Sequence, residues 1–154
     1  MTTWHLEITD RSGLRPPERP LPQGVEIVRV EDPHVNRAFY EILGEEYEWT
    51  DHIGQDEEWW AGHAARVETW LARLDGLPAG YIELEPQLDG DVEIAYFGVL
   101  PVFHGRGIGG HLLAHGIARA FELGSRVWAH TCSLDGPAAL PNYQARGMRI
   151  YKIC

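Results

Sequence analysis

The sequence predicts a single α/β domain, a mixed sheet covered by helices, with the element order β-α-α-β-β-β-α-β-α-β behind an extra N-terminal arm. Three observations lead there. Three strand-like runs follow one another across short turns, which implies antiparallel pairing. A glycine-rich turn and a long amphipathic helix come next, and the chain then alternates strand, helix, strand, as crossovers onto a mixed sheet require. The length of 154 residues fits one domain, which at that size buries roughly 70% of its unfolded surface.

The elements follow in order. Trp4 to Thr9 alternates like a short strand and leads into Arg15-Pro16-Pro17-Glu18-Arg19-Pro20-Leu21-Pro22. Proline fixes φ and donates no hydrogen bond, so residues 1–22 are read as a strand plus a Pro-rich arm, and residues 23–154 as the domain proper. The arm is free to pack on its own domain or on a partner subunit, which leaves a homodimer open. Val25 to Val30 alternates as the first core strand. Asp32-Pro33 opens a helix, with Asp32 as N-cap and Pro33 at the first helical position, that ends near Gly44. Glu45 to Gln55 reads as a loop, and Asp56 to Ala65 as a helix with its acids at the positive end. Val67 to Leu74, Ala79 to Leu88 and Val92 to Leu100 are strands joined at Asp75-Gly76-Leu77-Pro78 and Asp89-Gly90-Asp91. From Gly107 to Gly124 the period is helical: Leu112, Leu113, Gly116, Ile117 and Ala120 share one face, His111, His115, Arg119 and Glu122 the other. Val127 to Cys132 is a strand, Ala138 to Arg146 a short helix stopped by Gly147, and Met148 to Ile153 the closing strand.

Composition narrows the function. The apolar fraction is 44% and the formal net charge −10, with Lys152 the single lysine. A nucleic-acid partner demands a basic face, so none is expected. No apolar run approaches the ~20 residues of a membrane span, and Met1 to Asp10 has no signal-peptide pattern, so the expected location is the cytoplasm, away from membranes. Cys132 and Cys154 make neither a disulfide framework nor a metal spacing. His111 and His115 have the i, i+4 spacing of helical metal ligands, but Leu112 stands where H-E-x-x-H has glutamate, so they are read as solvent-facing and no metal is expected.

The chemistry sits in His104-Gly105-Arg106-Gly107-Ile108-Gly109-Gly110. Free N–H groups at a helix start suit a phosphate, and glycines let the backbone approach it. Charge-assisted bonds of this kind contribute ~1.5–3 kcal/mol each, enough in combination to anchor a pyrophosphate. Gly105, Gly107 and Gly110 also satisfy G-x-G-x-x-G, but that fingerprint belongs to a tight turn opening a parallel βαβ unit. Here Pro101 to His104 intervene and an antiparallel meander precedes. A G-x-x-x-x-G-K-[ST] loop is absent too.

The stretch Glu93 to Leu113, E-I-A-Y-F-G-V-L-P-V-F-H-G-R-G-I-G-G-H-L-L, resembles the acetyl-CoA-binding motif of the GNAT superfamily of N-acetyltransferases, [QR]-x-x-G-x-[GA], with His104 in place of Gln or Arg. Asn142-Tyr143-Gln144-Ala145-Arg146-Gly147-Met148 is similar to the family's late Y-x-x-x-G-F segment; Asp135-Gly136 stand where the family has an asparagine. The resemblance covers the chain from about Val25 and makes residues 23–154 an acyl-CoA N-acyltransferase domain. It implies acetyl-CoA as co-substrate and an amine of a small molecule or peptide as acceptor. It also implies backbone N–H groups from Arg106 to Gly110 on the pyrophosphate, Phe97, Gly98 and Val99 on the pantetheine arm, and His104, Gly105, Asn142 and Tyr143 in the same cofactor site. A non-catalytic acyl-CoA sensor of the same fold is the alternative.

Acyl transfer to an amine needs protons moved. An alkylammonium with pKa near ~10 is no nucleophile at pH 7, and the departing thiolate needs a proton; a positioned acid or base contributes ~10²–10⁴-fold. The resemblance makes Tyr143 the acid. Glu93, a carboxylate on a strand whose neighbours alternate Val92, Ile94 and Tyr96 against Ala95 and Phe97, is the candidate base, since burial is costly for an unpaired charge. Glu83 on the preceding strand is the second choice. Glu48, Trp49 and Trp59 combine acid and aromatic rings, a lining that suits a cationic amine.

Overall fold

The computed structural model describes residues 1–154. Its elements are β1 (Thr3–Ile8), β2 (Val25–Val30), α1 (Pro33–Tyr47), α2 (Glu57–Arg66), β3 (Glu68–Leu74), β4 (Leu77–Pro86), β5 (Asp91–Val99), α3 (Ile108–Leu123), β6 (Arg126–Cys132), α4 (Ala139–Ala145) and β7 (Arg149–Ile153). They form one seven-stranded sheet of order β2-β3-β4-β5-β6-β1-β7. This is the mixed α/β architecture that the sequence predicts. No helix is long and apolar enough to cross a membrane.

The N-terminal strand is an inner strand of this sheet. β1 pairs antiparallel with β6, from Thr3↔Cys132 to Ile8↔Val127, and with β7 on its other side. Arg126 ties this half to the rest: its Nε donates to Glu7 Oε1 at 2.9 Å and its Nη1 to Asp91 Oδ2 at 2.8 Å, bracing β1 and β5 against β6. The proline-rich arm then crosses the first turn of α3. The Arg19 carbonyl accepts from His111 Nε2 at 2.8 Å, and Pro17 and Pro22 lie against Gly110 and Gly107. The arm therefore packs on its own domain.

Helices cover the two faces with separate cores. Leu6, Ile82, Leu84, Val92, Leu112, Leu113, Ile117 and Val127 lie in the core under α3. Phe39 and Leu43 of α1 meet Leu71 and Tyr81 on the opposite face, with the Phe39 and Tyr81 rings stacked at 4.8 Å. Gly116 sets the approach of α3 to the sheet, because a Cβ there would lie 2.4 Å from Ile82 Cδ1.

Four sequence expectations change. α1 does not stop at Gly44 but runs to Tyr47 and is capped by Glu48 in the left-handed region at φ 58°. Gly44 is a close-approach residue, with a virtual Cβ 3.3 Å from the Trp49 Cβ, and not a terminator. Strand alternation also breaks in β5. Ile94 pairs with Leu84 and Tyr96 with Glu83, so Ala95 is an extra residue and Tyr96 turns to the face of Glu93. Ile94 stays in the α3 core while Tyr96 packs with the α1 core. His115 is not solvent-facing: its ring lies 4.4 Å from that of Trp70 and its Nε2 is buried without a partner. His111 is held by the arm, as described above.

Candidate active site

β5 and β6 are the only parallel neighbours, and they pair over Asp91–Glu93 and Arg126–Trp128 alone. Beyond that the strands part, and a cleft of about 1330 Å³ opens between them. Its size exceeds the ~300–1,000 Å³ of most small-ligand sites.

One end of the cleft is the glycine turn. After a single 3₁₀ turn at Pro101–Phe103, Gly105 and Gly107 take φ of +77° and +79°. These are left-handed conformations that side chains resist. Gly107 caps α3 with no side-chain hydrogen bond, so the first N–H groups of the helix lack the usual capping oxygen. Gly105, Gly107, Ile108 and Gly109 face the cleft, together with His104. His104 Nε2 donates to the Val99 carbonyl at 2.7 Å, folding the turn back on its strand. Arg106 is exposed beside it, and Gly110 is turned toward Pro17 and the Arg146 guanidinium rather than the cleft. Phe97, Gly98 and Val99 form one wall, Asn142 and Tyr143 of α4 the other. The Tyr143 ring lies 6.1 Å from Phe97. Its residue is 6% exposed, yet its hydroxyl has no protein partner and is not among the buried polar atoms left unpaired, so it opens to the cleft. Burial holds that hydroxyl protonated, with Asp135 adding to the effect.

Glu93 sits where the strands part. Burial pushes its carboxyl up to about 7, and the facing Glu85 across the ladder adds to the rise. Its contacts are long: Gln87 Nε2 at 3.5 Å and His130 Nε2 at 3.9 Å. A carboxyl poised near neutrality in a cleft is suited to exchanging protons.

The remaining wall is aromatic and acidic. Trp49 lines the cleft and donates Nε1–H to Asp135 Oδ1 at 3.1 Å. Asp135 Oδ2 also accepts from Thr131 Oγ1 at 2.7 Å and from the Cys132 N–H at 2.9 Å, so one carboxylate fixes the indole and the β6 end. Glu48 lines the same mouth. Trp59 stands behind the wall, stacked on His63 at 5.2 Å and 4.4 Å from the His52 ring. Glu83 lies beneath the floor, 1% exposed, accepting from Asn36 Nδ2 at 2.7 Å and bonded to His63 Nε2 at 2.7 Å. The structure thus gathers Glu93, Tyr143, Trp49, Glu48 and the glycine turn around one space, and leaves Trp59 and Glu83 as its supports.

Sequence reasoning missed Tyr96, His52, His63 and Asp135, all of which line the cleft. Only Asp135 has a signal, since Asp135-Gly136 stand where the resembled family has an asparagine. Tyr96 was assigned to the wrong face by the unseen bulge. No group of three or more His, Cys, Asp or Glu is arranged to hold a metal ion.

Comparison with known proteins agrees with this fold. The profile described as the acetyltransferase (GNAT) family matches residues 36–148. Among solved structures, a GCN5-related N-acetyltransferase from Kribbella flavida is similar at 26% identity and TM-score 0.72, over 99% of this chain and 56% of that one. A GCN5-related N-acetyltransferase from Sphaerobacter thermophilus gives 21% identity and TM-score 0.71, over 99% of this chain and 49% of that one. The chain thus spans about half the length of both. An aminoglycoside acetyltransferase from an uncultured soil metagenomic sample is similar at 17% identity and TM-score 0.66, over 80% of this chain and 87% of that one. No curated protein matches the chain.

Proposed function

Since the chain belongs to the GNAT family of acetyltransferases, we propose that it moves the acetyl group of acetyl-CoA to a primary amine by direct attack within a ternary complex. The observation that carries this reading is the Glu93 carboxyl, raised to about 7, in the same cleft as an uncapped glycine turn.

The turn from His104 to Gly110 suits the CoA pyrophosphate. Two glycines at positive φ hold the turn in a conformation that side chains resist, and the α3 dipole favours the negative charge. The pantetheine arm runs between Phe97–Val99 and Asn142, where the parted strands leave room. The amine enters from the wall of Trp49 and Glu48. Glu46, Glu48, Asp51, Glu85, Glu93 and Asp135 line the cleft against one arginine, Arg66, so the acceptor that this field attracts is a cation. As the nitrogen bonds to the acetyl carbon, Glu93 takes up a proton from it, and Tyr143 donates its hydroxyl proton to the leaving thiolate.

Calorimetric titration with acetyl-CoA, with NADH as control, tests the cofactor half. Micromolar binding of acetyl-CoA alone, weakened by Gly107→Val, is expected. Absence of acetyl-CoA binding removes the proposal. Thiol release in the presence of a panel of primary amines tests the transfer half. If acetyl-CoA binds but no amine accelerates thiol release, the chain is an acyl-CoA sensor of this fold.

A further inference from the structure

The proposed transfer leaves one proton without an acceptor. An alkylammonium loses two protons on the way to an amide: one to become a nucleophile, one after the new C–N bond forms. Glu93 accounts for the second. Resting on that amine-acceptor reading, we propose that His63, held by Glu83 and Asn36, takes the first proton from the incoming ammonium.

The three residues form a buried polar cluster under the acceptor wall. His63 is 5% exposed, Glu83 and Asn36 1% each. Asn36 Nδ2 donates to Glu83 Oε2 at 2.7 Å and to Thr69 Oγ1 at 2.8 Å, and the other Glu83 oxygen lies 2.7 Å from His63 Nε2. A carboxylate only accepts, so the ring proton sits on Nε2 and the lone pair on Nδ1. Nδ1 has no hydrogen-bond partner, and it is not among the buried polar atoms left unpaired. His63 lines the cleft, so Nδ1 opens there. Trp59 stacks on the ring at 5.2 Å and 7°, which holds its plane.

This arrangement exceeds what fastening α2 to the sheet needs. A carboxylate behind a histidine selects the tautomer and stabilises the imidazolium once formed, the logic of base-orienting pairs in general. The bulge at Ala95 brings Glu93 and Tyr96 to one face, opposite Glu85 and Glu83, so both proton acceptors serve the same space. Of the charged and titratable groups, Glu83 of β4 and His52 of the connecting loop face the His63 ring, Asp51, Arg66 and Tyr96 line the same cleft, and Tyr40 of α1 packs on His52. His52 lies 5.7 Å from the His63 ring and from the Tyr96 ring, and Tyr96 donates its hydroxyl to Asp51 at 3.4 Å. In the step, one N–H bond of the ammonium breaks and its electron pair stays on nitrogen. The proton moves to Nδ1, Glu83 balances the imidazolium, and the proton leaves to solvent at the cleft mouth beside His52.

The test uses the whole chain saturated with acetyl-CoA. In ¹⁵N-histidine NMR, with His63 assigned by its loss in His63→Gln, the neutral Nε2–H form with a bare Nδ1 is expected, and phenethylammonium chloride shifts the Nδ1 resonance saturably. Glutamine at 63 keeps an N–H donor for Glu83 but cannot take a proton. Acetylation of phenethylamine, followed by thiol release, should fall about 10²-fold in kcat in that variant, with acetyl-CoA affinity unchanged. The deficit should shrink as the pH approaches the amine's own pKa near ~10, where the acceptor arrives neutral. A proton on Nδ1, an Nδ1 resonance indifferent to phenethylammonium, or a kinetic deficit equal at every pH overturns the assignment. The NMR measurement decides even where phenethylamine turns over too slowly to assay. Failure of the wild type to bind acetyl-CoA would instead remove the transferase reading beneath it.

Discussion

Replacing Glu93 by glutamine tests the poised carboxyl without any substrate. In the unfolded chain this group titrates at 4.5, and in the fold at about 7. Between those values the native state binds more protons than the unfolded one, so stability falls as pH rises through the window and reaches its full loss above pH 7. The displacement corresponds to at most about 3 kcal/mol, and the solvent that reaches the carboxyl through the cleft screens it to less. Burial is its larger cause and the Glu85 charge its smaller one, so both act on the anion and neither on a neutral amide. Urea unfolding of wild type and Glu93→Gln at steps from pH 4 to pH 9 therefore separates two curves. They should run close at pH 4 and diverge toward pH 8, the glutamine variant becoming the more stable by up to that amount. A stability difference flat across the range would refute the reasoning, since a carboxyl that titrates normally creates no such divergence.

Other variants probe the remaining parts. Tyr143→Phe should cost ~10²–10⁴-fold in kcat while leaving acetyl-CoA affinity and stability unchanged, because the hydroxyl has no protein partner to lose; calorimetry and urea unfolding check the latter two. Asp135→Ala should destabilise by about 1–3 kcal/mol in urea unfolding and raise the acceptor KM, since it releases Trp49, Thr131 and the Cys132 N–H at once. Gly124→Ala should cost about 1–3 kcal/mol in urea unfolding, because a Cβ there would lie 2.3 Å from the Gly90 carbonyl oxygen in the turn before β5.

How much of this was legible depends on how far apart in sequence the cause and its effect lie. The glycine turn, the α3 face and Glu93 were readable because each is local: a capless helix start, a 3.6-residue period, a lone acid in an apolar strand. Gly44 misled for the opposite reason. Its role is set by Trp49, which returns on the helix only after Glu48 has turned left-handed, and a glycine needed for contact looks the same as one needed to end a helix. The slot of β1 is fixed by pairing with β6, over a hundred residues away, and alternation alone names no partner. The bulge at Ala95 left no composition signal, yet it decided which face Tyr96 joins. His63 read as one more helix residue because Glu83 and Asn36, which give it a tautomer, lie on other elements.

The charge distribution resolves a difficulty that the net charge of −10 raises. An acidic protein should repel a ligand bearing phosphates. The fold separates the two demands. The acids of the cleft, Glu93 and Glu85 at its root with Glu46, Glu48 and Asp51 at its mouth, line the side reached from α1 and α2. The glycine turn lies at the β5 end, at the positive pole of α3, with exposed Arg106 beside it. The fixed dipole of the helix acts within a few ångströms, whereas the bulk of the negative charge is screened beyond about 8 Å at physiological salt. On the proposed function, an anion at the turn and a cation at the aromatic wall would meet fields of opposite sign within one cleft, with the thioester end of the first brought to the second where β5 and β6 part. Raising the ionic strength should accordingly weaken the capture of both partners, the surface-exposed contributions first, while leaving the Glu93 carboxyl, whose rise comes mainly from burial, close to where it stands.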